Sequence, residues 1–141
     1  MSFALRLSED RLGAHARLTL APTPRVVYAE DRAWHASDAA ALATAEVPAT
    51  FLRFELLSGS EALPATAGKV ETRCLLEHAI DLDPARASLM RCDRVDFAPG
   101  GVARAGASRG QSSIVYVDPA DAARGRPRQY TVYVDEPLVL P

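Results

Sequence analysis

Apolar residues in this chain recur at every second position, in short runs cut by turn residues, and almost nowhere at helical spacing. Successive side chains of a strand point to opposite faces, so this period points to half-buried β-strands. The cleanest run is Thr50 to Leu57 (TFLRFELL), which places Leu52, Phe54 and Leu56 on one face and Phe51, Arg53 and Glu55 on the other. Further runs are Ala16 to Leu20, Arg25 to Tyr28, Val70 to Leu76, Ser88 to Phe97, Ser113 to Val117 and Tyr130 to Val134. Turn signals separate them: Ser58-Gly59-Ser60, Asp83-Pro84, Pro99-Gly100-Gly101 and Gly125-Arg126-Pro127.

Two segments compete for helix. Ser37 to Glu46 (SDAAALATAE) has a capping residue and an Ala-rich body ended by Pro48, although so many alanines bury little area and a loop fits equally. Asp118 to Gly125 is the better short helix, with Asp118 to cap, Pro119 at the first position and Gly125 to end it. The chain therefore reads as mostly β, a sandwich or barrel with one or two short helices.

With 141 residues the simplest organisation is one domain, 1–141. A weak echo between Arg17-Leu18-Thr19-Leu20 with Arg25-Val26-Val27-Tyr28 and Arg94-Val95-Asp96-Phe97 with Ser113-Ile114-Val115-Tyr116 suggests two halves, about 1–80 and 81–141. Hydrophobic residues make up 48% and charged residues 24%, which argues for a folded chain rather than a disordered one. A formal charge of −2 gives no general drive toward nucleic acid or an anionic membrane. No apolar run approaches the roughly 20 residues of a membrane helix. The start, MSFALRLSEDR, has an early acid pair and no sustained apolar stretch, so no signal peptide is expected and the cytoplasm is the default location. Cys74 and Cys92 are too few for a disulfide framework, and each falls in an alternating pattern that suggests a buried free thiol.

The stretch Arg91 to Ser108 (RCDRVDFAPGGVARAGAS) runs a strand into a Pro-Gly-Gly corner, and Leu89 to Ser108 resembles the first motif of small bacterial cupins. The resemblance implies a jelly-roll β-barrel holding one divalent metal through a His-x-His pair, a following Glu and a later His. Counting from Gly100, the two histidine positions are Gly106 and Ser108, the Glu would fall near Ser112 or Ser113, and no histidine follows Gly100. Neither glycine nor a neutral serine hydroxyl serves as such a ligand. The tail after Ser108 is also short for a full barrel. The expectation is thus a cupin-like jelly-roll or β-barrel, incomplete or completed by a second subunit, without the usual metal site. The run Gly106 to Gln111 (GASRGQ) reads either as a genuine short turn or as a junction where a longer segment is missing.

Other chemistry is sparse. Gly106-Ala107-Ser108-Arg109-Gly110 matches G-x-S-x-G formally, but no helix pattern and no histidine follow it, so it reads as a turn. His15, His35 and His78 are solitary, and no phosphate loop exists because Gly68-Lys69 lacks the upstream glycine spacing. Trp34-His35 pairs an aromatic with an imidazole, as polar cavities often do. Arg53 and Glu55, if their face points inward, form a polar floor for an anionic or hydrogen-bonding ligand. Asp93 beside Arg94 looks like a strand-face ion pair. The candidate ligand-binding residues are Trp34, His35, Arg53, Glu55 and Arg94, with no catalytic residue and no metal ligand among them. The reading is a small-molecule-binding or structural domain with no evident catalytic centre and no evident cofactor. The alternatives are a metal-dependent cupin enzyme of dioxygenase or isomerase type, its ligand-bearing segment either missing or rebuilt from dispersed histidines to hold a divalent metal, and a dimeric interaction module. A homodimer is expected because incomplete closure leaves edge strands, with Thr131 to Val134 a plausible edge or exchanged element.

Overall fold

The computed structural model describes residues 2–29, 32–59, 61–81, 89–96, 112–117 and 128–135. It divides into two compact units, Met1–Asp83 and Pro84–Pro141. Every regular element among the described residues is a strand, and every pairing is antiparallel.

The first unit holds eight strands: β1 (Ser2–Leu12), β2 (Arg17–Leu20), β3 (Arg25–Tyr28), β4 (Ala33–Ala36), β5 (Ala40–Ala43), β6 (Ala49–Leu57), β7 (Ala65–Ala67) and β8 (Val70–Asp81). They form a five-stranded sheet, β4-β3-β6-β1-β8, and a three-stranded sheet, β5-β2-β7. The long strands β1, β6 and β8 build the large sheet, and the short ones cover part of one face. Leu18, Leu20 and Leu42 of the small sheet pack with Leu12, Val27 and Phe51 of the large one in a single buried cluster. Trp34 adds to it, its ring edge-on to Phe51 with centroids 6.2 Å apart. The other face of the large sheet carries Leu5, Leu7, Val26, Tyr28, Leu52, Phe54 and Ile80, all buried. Fully burying side chains of this size contributes about 1.5–3 kcal/mol each, which makes this five-stranded sheet the mainstay of the unit.

The second unit holds β9 (Leu89–Asp96), β10 (Ser112–Val117) and β11 (Arg128–Asp135) in a sheet of order β10-β11-β9. Tyr130 and Val132 are buried, and the Tyr116 and Tyr130 rings lie 6.4 Å apart.

The mostly β expectation holds, and none of the three sheets closes into a barrel among the described residues. Other expectations need correction. Ala40–Ala43, inside the alanine-rich run, is a strand paired with β2 rather than a helix. Leu42 inserts into the core cluster, and that burial outweighs the weak local helix preference of the run. The strand containing Thr131 to Val134 is central, bonded to both β9 and β10, and so is not an edge. The second proposed helix, Asp118 to Gly125, the Pro-Gly-Gly corner and the Gly106 to Gln111 run all lie outside the described residues.

Strand β8 is an edge of the large sheet, and a bulge interrupts it. Leu7 faces Leu76 and Ser8 faces Cys74, so Leu75 has no partner in β1. The bulge switches the faces of β8 midway, and with Glu71, Arg73 and Glu77 it works against pairing of this edge with another strand. Cys74 consequently is exposed rather than buried, while Cys92 is half-buried, and both thiols are free. Burial, and then the charge of Asp93, push the Cys92 thiol up to about 12, which leaves it protonated at neutral pH.

The chain passes from the small sheet to the large one through Gly68, whose φ is +75°. A Cβ there would stand 3.0 Å from both the Ala16 Cα and the His15 carbonyl oxygen, two backbone atoms that would have to shift by a few tenths of an ångström to admit it. Gly68→Ala therefore combines left-handed strain with a clash. It is expected to lower unfolding free energy by about 1–3 kcal/mol in urea denaturation. A loss below a few tenths of a kcal/mol would mean that this corner is not rigid.

Candidate functional site

Register brings four charged side chains together inside the first unit. On β6, Arg53 and Glu55 sit on the face that looks toward the small sheet. Glu55 lies directly across from Arg25 of β3, and Arg53 lies across from Ser8, two positions from Asp10 on β1. The four are among the most buried residues in the chain: Asp10 is 0%, Arg25 2%, Glu55 4% and Arg53 5% exposed.

Their hydrogen bonds form one continuous chain. Arg53 grips Asp10 with two donors, Nε to Oδ2 at 2.9 Å and Nη2 to Oδ1 at 3.0 Å. Its Nη1 donates to Glu55 Oε1 at 2.6 Å. Arg25 Nε donates to Glu55 Oε2 at 3.2 Å, its Nη1 to the Asp38 carbonyl at 3.0 Å, and its Nη2 to the Ala21 carbonyl. Thr72 on β8 closes the far end, its hydroxyl donating to Asp10 Oδ1 at 2.8 Å. No buried side-chain nitrogen or oxygen among the described residues lacks a partner. Burial works to lower the Arg53 pKa, but the hydrogen bonds and charge of Asp10, with those of Glu55, outweigh it and hold the guanidinium above its ordinary value.

The network stands at the wall of open space. A cavity of about 420 Å³ is bounded by Arg25, Arg53 and Glu55, by Leu20 and Leu57 on its apolar side, and by Ser58, Gly59 and Glu61 to Pro64. A second cavity of about 500 Å³ lies along β8, reaches Cys74 and Thr72, and shares Arg53, Arg6 and Glu77 with the first. Arg6 and Glu77 form a half-exposed ion pair at 2.8 Å between the two.

The Ser58–Glu61 loop is shaped by its own acid. The Glu61 carboxylate accepts the Ser58 amide at 2.6 Å, the Ser58 hydroxyl at 2.8 Å and the Gly59 amide at 2.9 Å. Partial burial raises its pKa, yet these donors outweigh that and hold the carboxyl below the ordinary carboxylate range.

Of the residues singled out from sequence, Arg53 and Glu55 come together here. Trp34 shares their face but belongs to the apolar cluster, with the Arg32 guanidinium 5.4 Å from its ring centre. His35 faces Val26 in the β3–β4 pairing, so it points to the opposite face, and it is exposed. Arg94 belongs to the second unit and pairs with Asp96 at 3.3 Å, two residues away on its own face, while Asp93 pairs with Arg91 at 3.5 Å. His15 lies in the turn between β1 and β2, His35 on β4 and His78 on β8, and among the described residues no group of three His, Cys, Asp or Glu side chains could hold a metal ion. Sequence reading missed Asp10, Arg25 and Thr72. The alternation of Phe3, Leu5 and Leu7 marks β1 and was the available signal for Asp10. For Arg25 no local signal exists, since only the β3–β6 register gives it a partner.

No protein-family model, curated protein or solved structure matches this chain.

Two outcomes test this site. Arg53→Met leaves Asp10 and Glu55 buried without their shared partner and is expected to cost about 3–5 kcal/mol in chemical denaturation. A loss under 1 kcal/mol would mean that the network does not hold the sheet. Glu61 has a lowered folded pKa, so its contribution is full above the ordinary carboxylate value near 4.5 and fades as pH falls through the folded value. The protection of the Gly59 amide, measured against its intrinsic exchange rate at each pH, should therefore fall on acidification in the native protein. In Glu61→Gln that protection should already be low at neutral pH, and equal protection in both proteins would disprove the loop's dependence on this carboxylate.

Proposed function

We propose that this chain is a small-molecule-binding β domain whose ligand occupies the cavity of about 420 Å³ beside Arg25, Arg53 and Glu55. One observation carries the reading: a buried, mutually bonded charge network borders a cavity that also has an apolar wall. Binding sites for small organic molecules commonly occupy about 300–1,000 Å³ and combine an apolar lining with a few fixed polar groups. Three buried ion pairs among four side chains contribute little net stability compared with well-packed apolar side chains, so packing alone gives no reason to keep four charges here.

The cupin-like assignment accompanies this reading as a proposal. It rests on the Asp93-Arg94-Val95-Asp96-Phe97 wording before the Pro-Gly-Gly corner and on the antiparallel β build. Among the described residues no cluster of His, Cys, Asp or Glu side chains favours the metal-dependent enzyme. A homodimer also stays a proposal, and its contact would have to avoid an extended β8–β8 ladder, which the bulge and charges of that edge oppose.

Ala79 lines the cavity from the exposed edge strand and touches none of the network bonds, so Ala79→Phe fills the site while sparing the fold. In a thermal-shift screen of small organic molecules, compounds that raise the Tm of the native protein should lose that effect in Ala79→Phe. If no compound stabilises the native protein, or if those that do act equally on Ala79→Phe, the cavity is not a binding site.

A further inference from the structure

The composition of the cavity wall restricts what it can hold, and this step rests on the binding reading above. Its charged lining is Arg6, Arg25 and Arg53 against Glu55, Glu61 and Glu77, and Asp10 lies directly behind Arg53. Every one of these charges is already answered. Arg6 is paired with Glu77, Arg53 with Asp10 and Glu55, Arg25 with Glu55, and Glu61 is wrapped by the Ser58 and Gly59 donors. With four acids to three arginines, an entering anion would meet no spare positive charge and would give up its hydration for nothing. An entering cation would meet two guanidinium groups at the floor and carboxylates whose charge is already shared.

Hydrogen-bonding capacity remains where charge does not. Each terminal nitrogen of a guanidinium carries two N–H groups, and Arg25 and Arg53 each use one per nitrogen. Each Glu55 oxygen accepts one bond and has a second lone pair to offer. Donors and acceptors therefore stand side by side on rigid, buried groups. A pair of neighbouring hydroxyls fits that arrangement, one oxygen accepting from a guanidinium and the adjacent O–H donating to the carboxylate. Leu20 and Leu57 supply an apolar wall for the C–H face of such a ring.

We infer that the ligand is a neutral molecule bearing vicinal hydroxyls, a sugar or cyclic polyol, held by Arg25, Arg53 and Glu55 of the first unit. The test is an NMR titration of the full-length ¹⁵N-labelled protein with D-glucose and myo-inositol, set against succinate, inorganic phosphate, acetamide and ethylammonium as competing classes. The polyol probes should move the side-chain Nε–H signals of Arg25 and Arg53 saturably, with an affinity that is unchanged between low and high salt. Ala79→Phe, and independently Ala62→Trp on the exposed loop, should weaken that binding at least tenfold. Saturable shifts at Arg25 and Arg53 from the acid, phosphate, amide or ammonium probes and none from the polyols would overturn this inference and leave the binding reading intact. Silence from every class would overturn both, and polyol binding that survives both variants would place the site elsewhere and overturn the assignment.

Discussion

The first unit depends on one chain of hydrogen bonds, buried from Asp10 through Arg53 and Glu55 to Arg25 and tied at its partly exposed end by Thr72. It crosses four strands, β8, β1, β6 and β3, in an order that holds only in one register. Side chains alternate faces, so slipping β6 by a single residue would move Arg53 and Glu55 among Leu5, Leu7 and Val26 of the neighbouring strands. Stranding those charges in an apolar layer costs several kcal/mol for each ion, far more than the few tenths that separate competing cross-strand pairs. The network thus selects a register whether or not it adds net stability.

Its position follows from unequal strand lengths. The small sheet is built from strands of four, four and three residues, while β1, β6 and β8 run to eleven, nine and twelve. Leu18, Leu20 and Leu42 can cover only part of the long sheet, and they settle on the end bearing Leu12, Val27, Phe51 and Trp34. The charged end stays beneath loops, which pack less completely than a second sheet and leave the space that Arg25, Arg53 and Glu55 border. A longer β2 or β7 would fill that space with apolar side chains.

Arg53 and Glu55 were legible because TFLRFELL alternates cleanly, and a charged pair on one face of a strand either meets solvent or needs partners. Their partners were not legible. Asp10 lies 43 residues from Arg53, and Arg25 lies 30 residues from Glu55, distances over which periodicity says nothing about register. The alanine run at Ala40–Ala43 misled for a related reason, since helix preference is a local property and the burial of Leu42 is not. Cys74 misled through the bulge: the pattern Val70, Thr72, Cys74 is real, but the extra residue at Leu75 moves Leu76 to the opposite face, and an edge strand leaves the thiol exposed.

The same self-satisfaction that hides the network from local sequence shapes how it can act on a ligand. A lone buried arginine would attract anions strongly and would reorganise when one arrived. Here each guanidinium is already fixed in place by carboxylates and backbone carbonyls, so presenting its remaining N–H groups requires no rearrangement. Preorganised donors and acceptors reduce the ordering cost of binding, and they discriminate by geometry rather than by charge. A ligand that matches only half of the pattern leaves a buried donor or acceptor dry, at about 1–3 kcal/mol for each unmet group. On the proposed reading, selectivity in this unit arises from that penalty, and the neutral balance of Asp10, Arg25, Arg53 and Glu55 is what makes the penalty decisive.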